Sequence, residues 1–216
     1  MERILYETNF QGMHLEVIQN GDEISLQSDR SIIHSRKSLN HPEKIIQPYQ
    51  QQMIAVLSMI DKPPEKILHL GLGGGCIASY LHQLQPVHQD VIEVSEEIVE
   101  ISHKYFHLPK SEWINIYIQD ASNLQCIHGK KYDFIFLDLC DSNGPIHYFQ
   151  EEPYLRMLKN HLTQKGWVVA NSWSEEHALR RELKTWKKLF QEVDIKGMPG
   201  QESVIFAQNK YRYFFY

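Results

Sequence analysis

Three kinds of residue pattern are scarce in this chain of 216 residues, and each scarcity excludes something. No apolar run approaches the ~20 residues that span a bilayer, and Met1-Glu2-Arg3-Ile4 opens no signal-peptide core, so neither a membrane nor a secretory route is expected. There are only three cysteines, Cys76, Cys126 and Cys140, odd in number and without a CxxC pair, which fits free thiols in a reducing cytoplasm. Basic charge is short as well. The formal net charge is -5, which argues against nucleic acid as a partner. The local cluster Arg180, Arg181, Lys184, Lys187 and Lys188 reads as one solvated helix face. The 12 histidines show no zinc-type spacing, and no metal is expected.

What is present is a change of pattern along the chain. Residues 1–35 read as β, with Leu15–Ile18 and Glu23–Leu26 flanking the hairpin signal Asn20-Gly21 and a third short strand at Ser31–Ser35. Tyr49–Ile60 has a helical period and stops at Pro63-Pro64. Strands and helices then alternate. Strands are predicted at Lys66–Leu70, Asp90–Val94, Ile114–Ile118, Tyr132–Leu137 and Gly166–Asn171. The helices between and after them are Cys76–Gln83, Glu96–Phe106, Pro153–His161 and Glu175–Phe190. Glu192–Ile195, Ser203–Ala207 and Arg212–Phe215 close the chain as strands, two of them an antiparallel edge hairpin. Continuous apolar strands separated by helices predict an α/β fold, a mostly parallel seven-stranded sheet covered on both faces. The expected division is a small N-terminal β domain over 1–48 and a Rossmann-like nucleoside-binding domain over 49–216.

The loop Gly71-Leu72-Gly73-Gly74-Gly75 follows the first of these strands and lets a ligand approach backbone N–H groups. Glu93, with Val94, ends the next strand 18 residues after Gly75, where an acid hydrogen-bonds ribose hydroxyls. Asp120 and Ala121 follow the third strand, and an Asp there can accept from an adenine amino group or simply form a turn. The loop lacks the GxGxxG spacing of a pyrophosphate site, so an adenosine carrying a sulfonium fits better than NAD. The expected ligand is S-adenosylmethionine (SAM) or a close analogue. The strand Tyr132–Leu137 ends in Asp138-Leu139-Cys140-Asp141-Ser142-Asn143-Gly144-Pro145. Two carboxylates three residues apart on such a loop can hold a cationic amine and take a proton from it. A nucleophilic Cys140 would need a base beside it, and His147 is the nearest histidine. Asn171-Ser172-Trp173 ends a strand near the same face.

Taken together these segments resemble the polyamine aminopropyltransferase (spermidine synthase) family over roughly residues 5–175. The N-terminal hairpin, Ile33-His34-Ser35-Arg36 and Pro48-Tyr49 are similar to that family's small β domain and its connection. The resemblance implies decarboxylated SAM as donor, a polyamine or other amine as acceptor, methylthioadenosine as product, and a homodimer. It implies Asp138 as the base, Asp141 as its acidic companion, and Tyr49, Gln50 and His34 on the substrate side. The chain also departs from the family pattern. Cys76 stands where the family has an Asp facing the donor's ammonium, Gln50-Gln51 where it has His-Glu, Ser95 where it has Asp, and His34 where it has Gln. Removing a carboxylate opposite an ammonium forfeits roughly 1.5–3 kcal/mol and also removes repulsion of the carboxylate of intact SAM. Two alternatives therefore stand beside aminopropyl transfer. One is a SAM-dependent small-molecule methyltransferase releasing S-adenosylhomocysteine, the other a non-catalytic nucleoside-binding protein.

Overall fold

A computed structural model describes residues 2–10, 12–28, 32–60, 62–141, 144–197, 200 and 202–209. The expected strand Arg212–Phe215, Ser31 of the third strand, and Ser142-Asn143 of the acidic loop lie outside them. The chain begins with an antiparallel sheet, β1 (Glu2–Phe10), β2 (Met13–Asn20), β3 (Glu23–Ser28) and β4 (Ile32–Ser38), in that spatial order. The Asn-Gly signal does make the β2–β3 hairpin, with Asn20 opposite Glu23. β1 was not predicted as a separate strand. It is an edge strand, half-exposed along its length, so it lacks the apolar/polar alternation by which a half-buried strand is read.

The helix α1 (Pro48–Ala55) is shorter than predicted, because Val56–Met59 tightens into a 3₁₀ turn. Alternation then follows as β5 (Lys66–Leu70), α2 (Cys76–Leu84), β6 (His88–Glu93), α3 (Glu96–Tyr105), β7 (Ile114–Ile118) and β8 (Tyr132–Leu137). A two-residue ladder, β9 (Cys140–Asp141) with β10 (Gly144–Pro145), sits in the acidic loop. The chain continues as α4 (Glu152–Asn160), β11 (Leu162–Ser172), α5 (Glu176–Leu189), β12 (Glu192–Lys196) and β13 (Ser203–Gln208). The large sheet has seven strands in the order β12-β13-β11-β8-β5-β6-β7, with β13 antiparallel to both its neighbours. This is the mostly parallel sheet with an antiparallel edge that the pattern predicted.

Both faces are covered, which is why the strands read as continuous apolar runs. On one face Ile67, Phe134, Phe136, Val169 and Phe206 meet Tyr49, Met53 and Val56 of the α1 segment and Ile77 and Leu81 of α2. On the other, Leu68, Ile135, Val168 and Ile205 meet Leu155 and Leu158 of α4 and Leu179, Trp186 and Leu189 of α5. Each such fully buried aliphatic or aromatic side chain contributes about 1.5–3 kcal/mol. The basic residues of α5 all lie exposed on its outer face, with Arg180 paired to Glu176 and Lys188 to Glu152. No helix among the described residues is long and apolar enough to cross a membrane.

The chain runs β5 to β6 to β7 in one direction, then returns to place β8 on the other side of β5. Strand order therefore reverses between β5 and β8. A crevice opens above their carboxyl ends, where open α/β sheets bind ligands.

Candidate functional site

The crevice is closed above by the small sheet. Met13 and Leu15 of β2 and Leu26 of β3 face into it, and so do His34 and Ser35 of β4. Strand alternation sends His14 and Glu16 to the opposite face of β2. There His14 Nε2 lies 3.9 Å from Glu7 and 3.7 Å from Glu16, away from the cavity.

The glycine loop divides into two functions. Gly71, Leu72 and Gly73 line the cavity, whereas Gly74 and Gly75 do not. Gly71 has φ +92°, and a Cβ on it would lie 2.3 Å from the carbonyl oxygen of Asp138, so only glycine lets the ends of β5 and β8 meet. A Cβ on Gly74 would stand 2.6 Å from the ring of Phe106, and its N–H donates to Ser35 Oγ at 2.7 Å. Gly75 precedes α2, with its N–H on Leu72 O at 2.8 Å. The last two glycines thus serve packing and the helix start, and the ligand-facing part of the expected motif is shorter than the sequence indicated.

Glu93 is 8 % exposed and accepts Leu72 N–H on one oxygen and Ser95 N–H on the other, each at 3.0 Å. Burial pushes its carboxyl up against those backbone hydrogen bonds. Each oxygen has lone pairs left for a ligand hydroxyl. Val94 and Ala121 line the cavity beside it. Asp120 also lines the cavity, and its Oδ1 accepts Ser122 N–H at 2.7 Å, so it makes the turn as well as facing the crevice.

Asp138 is the centre of the polar network. Its Oδ2 accepts the Tyr49 hydroxyl at 2.9 Å and its Oδ1 accepts Asn171 Nδ2 at 3.0 Å. Burial raises its pKa, while the hydrogen bonds from Asn171, Tyr49 and Cys140 pull it down. Tyr49 is 3 % exposed and receives Gln50 Nε2 at 3.2 Å. Gln50 does not reach the cavity, and it supports Tyr49 from behind. His34 lines the cavity with its ring on Ser28 Oγ at 2.8 Å, and burial lowers its pKa. Asp141, on β9, lines the cavity too. Cys140 has its thiol pushed well up by burial and by Asp138, Asp141 and Glu202, so it is held as a thiol. That works against the nucleophilic reading, and His147, the nearest histidine in sequence, lies on Glu182 at 3.2 Å.

Cys76 proves to lie behind the loop. It is 5 % exposed, packs with Met13, Leu15 and Phe106, and donates to Arg36 O at 3.7 Å. Burial pushes its thiol up to about 11. The sequence reading missed Ser35, which bridges Gly74 N–H to His34 O. It also left open what Asn171 and Trp173 do. Both line the cavity, and the Trp173 ring lies on Gly144, where a Cβ would be 2.5 Å away.

In any reaction that needs ionised Asp138, Tyr49→Phe should lower the rate about tenfold and move the acid limb of the pH profile upward. The variant deletes one hydrogen bond that favours ionised Asp138, a charge-assisted contact worth roughly 1.5–3 kcal/mol. A pH–rate profile checks this, and an unmoved limb contradicts it.

A seven-stranded sheet in this order, reversed at β13 and carrying its crevice at the β5/β8 switch, defines the Rossmann-like fold of SAM-dependent methyltransferases and spermidine synthases. A family model for the spermine/spermidine synthase domain matches residues 47–199. The chain belongs to the spermine/spermidine synthase family. It is 31 % identical over 165 residues to a polyamine aminopropyltransferase of Vibrio vulnificus, covering 74 % of this chain and 54 % of that one. The chain thus spans about half the length of that relative. Among solved structures, a probable spermidine synthase from Corynebacterium glutamicum superposes with a TM-score of 0.81 at 18 % identity, covering 98 % of this chain and 82 % of the other. Human methyltransferase-like protein 13, in complex with S-adenosylhomocysteine, shares the fold with a TM-score of 0.66 at 22 % identity, covering 77 % and 83 %.

Proposed function

We propose that this chain transfers an aminopropyl group from decarboxylated SAM to an amine, with Asp138 as the base and methylthioadenosine as product. One observation carries the reading. Among the described residues lining the cavity are four carboxylates, Glu93, Asp120, Asp138 and Asp141, and neither lysine nor arginine. Decarboxylated SAM brings a sulfonium and an ammonium, and the acceptor arrives as an ammonium. Every charge on these substrates is positive. The carboxylate of intact SAM would find no cation here and would face acids. Cys76 does not change that balance, because its thiol is outside the lining.

In this reading Gly71, Leu72, Gly73, Glu93 and Val94 surround the ribose and sulfonium. Asp120 and Ala121 meet the adenine, and His34, Tyr49, Asp138 and Asp141 take the amine side. Gln50 acts through Tyr49. Asp138 accepts a proton from the acceptor ammonium. The freed nitrogen attacks the carbon on sulfur in line, the C–S bond breaks, and its electron pair leaves a neutral thioether. The protein supplies position, a base and a crevice with restricted water. The aminopropyltransferase relative supports this chemistry, as does the match to the synthase domain. We also take 1–48 as a small domain over 49–216, and the protein as a homodimer of the cytoplasm acting on small molecules. The open edge at β1, with Ile4 42 % exposed, is one surface a second copy would cover.

Product analysis after incubation with putrescine and either donor tests the reaction. Methylthioadenosine and a lengthened polyamine should form from decarboxylated SAM alone. S-adenosylhomocysteine formed from SAM would establish the methyltransferase alternative instead. Nucleoside binding by calorimetry without turnover of either donor would establish the non-catalytic one.

A further inference from the structure

Asn171 is 2 % exposed, at the end of β11, yet it lines the cavity. The sheet register explains its position. Ala170 pairs with Leu137 of β8, so the next residue on each strand, Asn171 and Asp138, stand side by side at the switch point. The two ends of the amide are treated differently. Nδ2 donates to Asp138 Oδ1 at 3.0 Å, which fixes the amide's sense, since the reverse would set an amide oxygen against a carboxylate oxygen. The strand itself is held by Gln150, whose Nε2 donates to Asn171 O at 3.1 Å. Asn171 Oδ1 is then a buried acceptor with no hydrogen-bond partner among the described residues. Buried acceptors are seldom left unpaired, and such a group at the wall of a substrate cavity needs an explanation.

We propose that Asn171 orients the attacking amine. Its Oδ1 accepts one N–H of the incoming ammonium while Asp138 accepts another and removes it. The proton passes from the ammonium to the Asp138 carboxylate and later to water. The remaining N–H on Asn171 holds the nitrogen so that the lone pair just freed points at the sulfonium carbon. A carboxylate alone takes the proton but leaves the amine free to rotate. The pair Asp138 and Asn171 takes the proton and sets the direction. Misplacement of a reacting atom by 1 Å can reduce rate by about 10²-fold, so the second contact has room to matter.

This inference rests on the reading of Asp138 as base, and the experiment separates the two. Asn171→Ala and Asn171→Asp are assayed with decarboxylated SAM and putrescine from pH 6 to 9.5, with methylthioadenosine affinity measured alongside. Asn171 also lowers the Asp138 pKa, so the alanine variant should move the acid limb upward. If tuning were its whole role, turnover would recover fully on the alkaline plateau. If it orients the amine, the plateau stays about 10- to 100-fold below wild type with methylthioadenosine affinity unchanged. Asn171→Asp restores an acceptor oxygen and should regain part of that plateau while moving the limb further upward. A wild-type plateau for Asn171→Ala overturns the inference and leaves Asp138 as base standing. Wild-type turnover by Asp138→Asn, or none by the wild type itself, overturns the parent reading and this inference with it.

Discussion

Asp138→Asn should lower turnover about 10³-fold, leave methylthioadenosine affinity nearly unchanged, and raise the melting temperature. The first effect follows from losing the carboxylate that accepts both the Tyr49 hydroxyl and the Asn171 amide in the cavity wall. The second follows from position, since Glu93 sits two strands away on β6 and is held by the backbone N–H groups of Leu72 and Ser95, with no bond to the Asp138 carboxyl. The third follows from linkage. Burial raises the Asp138 pKa above that of the unfolded chain. Such a group stabilises the fold below the unfolded pKa, and that contribution is lost as pH rises through the folded pKa. At neutral pH the native state therefore carries a carboxylate in a place that disfavours its charge. Asparagine removes the charge and keeps the shape, and the Tyr49 hydroxyl can turn from donor to acceptor. Kinetics, calorimetry and a thermal melt at pH 7.5 check the three parts. Unchanged turnover would remove Asp138 from the mechanism, and a lowered melting temperature would refute the stability argument.

The second large effect is on acid stability, and its origin lies outside the cavity. His69 is 4 % exposed in the middle of β5, stacked on Phe136 with ring centroids 5.4 Å apart. Its Nε2 meets Gln89 Oε1 at 2.8 Å, and Gln89 is itself oriented by donating to Ala78 O at 3.2 Å. The ring is thus built in as the neutral Nε2–H form. Burial lowers its pKa from 6.5 to about 4. The unfolded chain takes up this proton near pH 6.5 and the native chain only near pH 4. Stability is present above pH 6.5 and drains away as pH falls towards 4, by about 3 kcal/mol in all. Glu93 and Asp138 have raised pKa values and work in the opposite sense, gaining stability on protonation, whereas His34 and His161, with lowered pKa values, add to the loss, so the His69 share has to be isolated by substitution. Urea midpoints at pH 7.5, 6 and 5 for wild type and His69→Gln isolate that share. The variant should lose far less between pH 7.5 and 5. Parallel declines would contradict the assignment.

These two residues differ in how far the sequence reveals them. Asp138 is visible because it follows a continuous apolar strand in a parallel sheet, and such strands end at the ligand face. His69 looks like any histidine until Gln89 and Phe136 are brought to it from neighbouring strands. The same holds within the site. Gly71, Glu93 and Asp120 each follow a strand at the expected place, so their spacing is legible. Ser35 and Asn171 belong to β4 and β11, and they join the glycine loop and Asp138 only through the packing of the small sheet and the register of β11 on β8. Boundaries were least legible where the chain is polar. β6 begins at His88 rather than Asp90, and β11 begins at Leu162, ahead of the predicted Gly166, because the residues extending those strands are polar. The five-residue glycine motif hid a division of labour, because spacing cannot tell a glycine under Phe106 from one against Asp138.

The fastening of the small sheet has a consequence for traffic through the crevice. Ser35 holds Gly74 N–H, and the buried Lys37 donates to the carbonyl of Phe106 at 2.6 Å, with the Phe106 ring seated on Gly74. Roof and floor are therefore tied at the same glycine. The four-stranded sheet cannot lift as a cover without dragging the loop that would cradle adenosine out of shape. Lifting the roof would break the Ser35–Gly74 and Lys37–Phe106 bonds, so a nucleoside held at Gly71–Gly73 would exchange more readily along the slot between roof and floor.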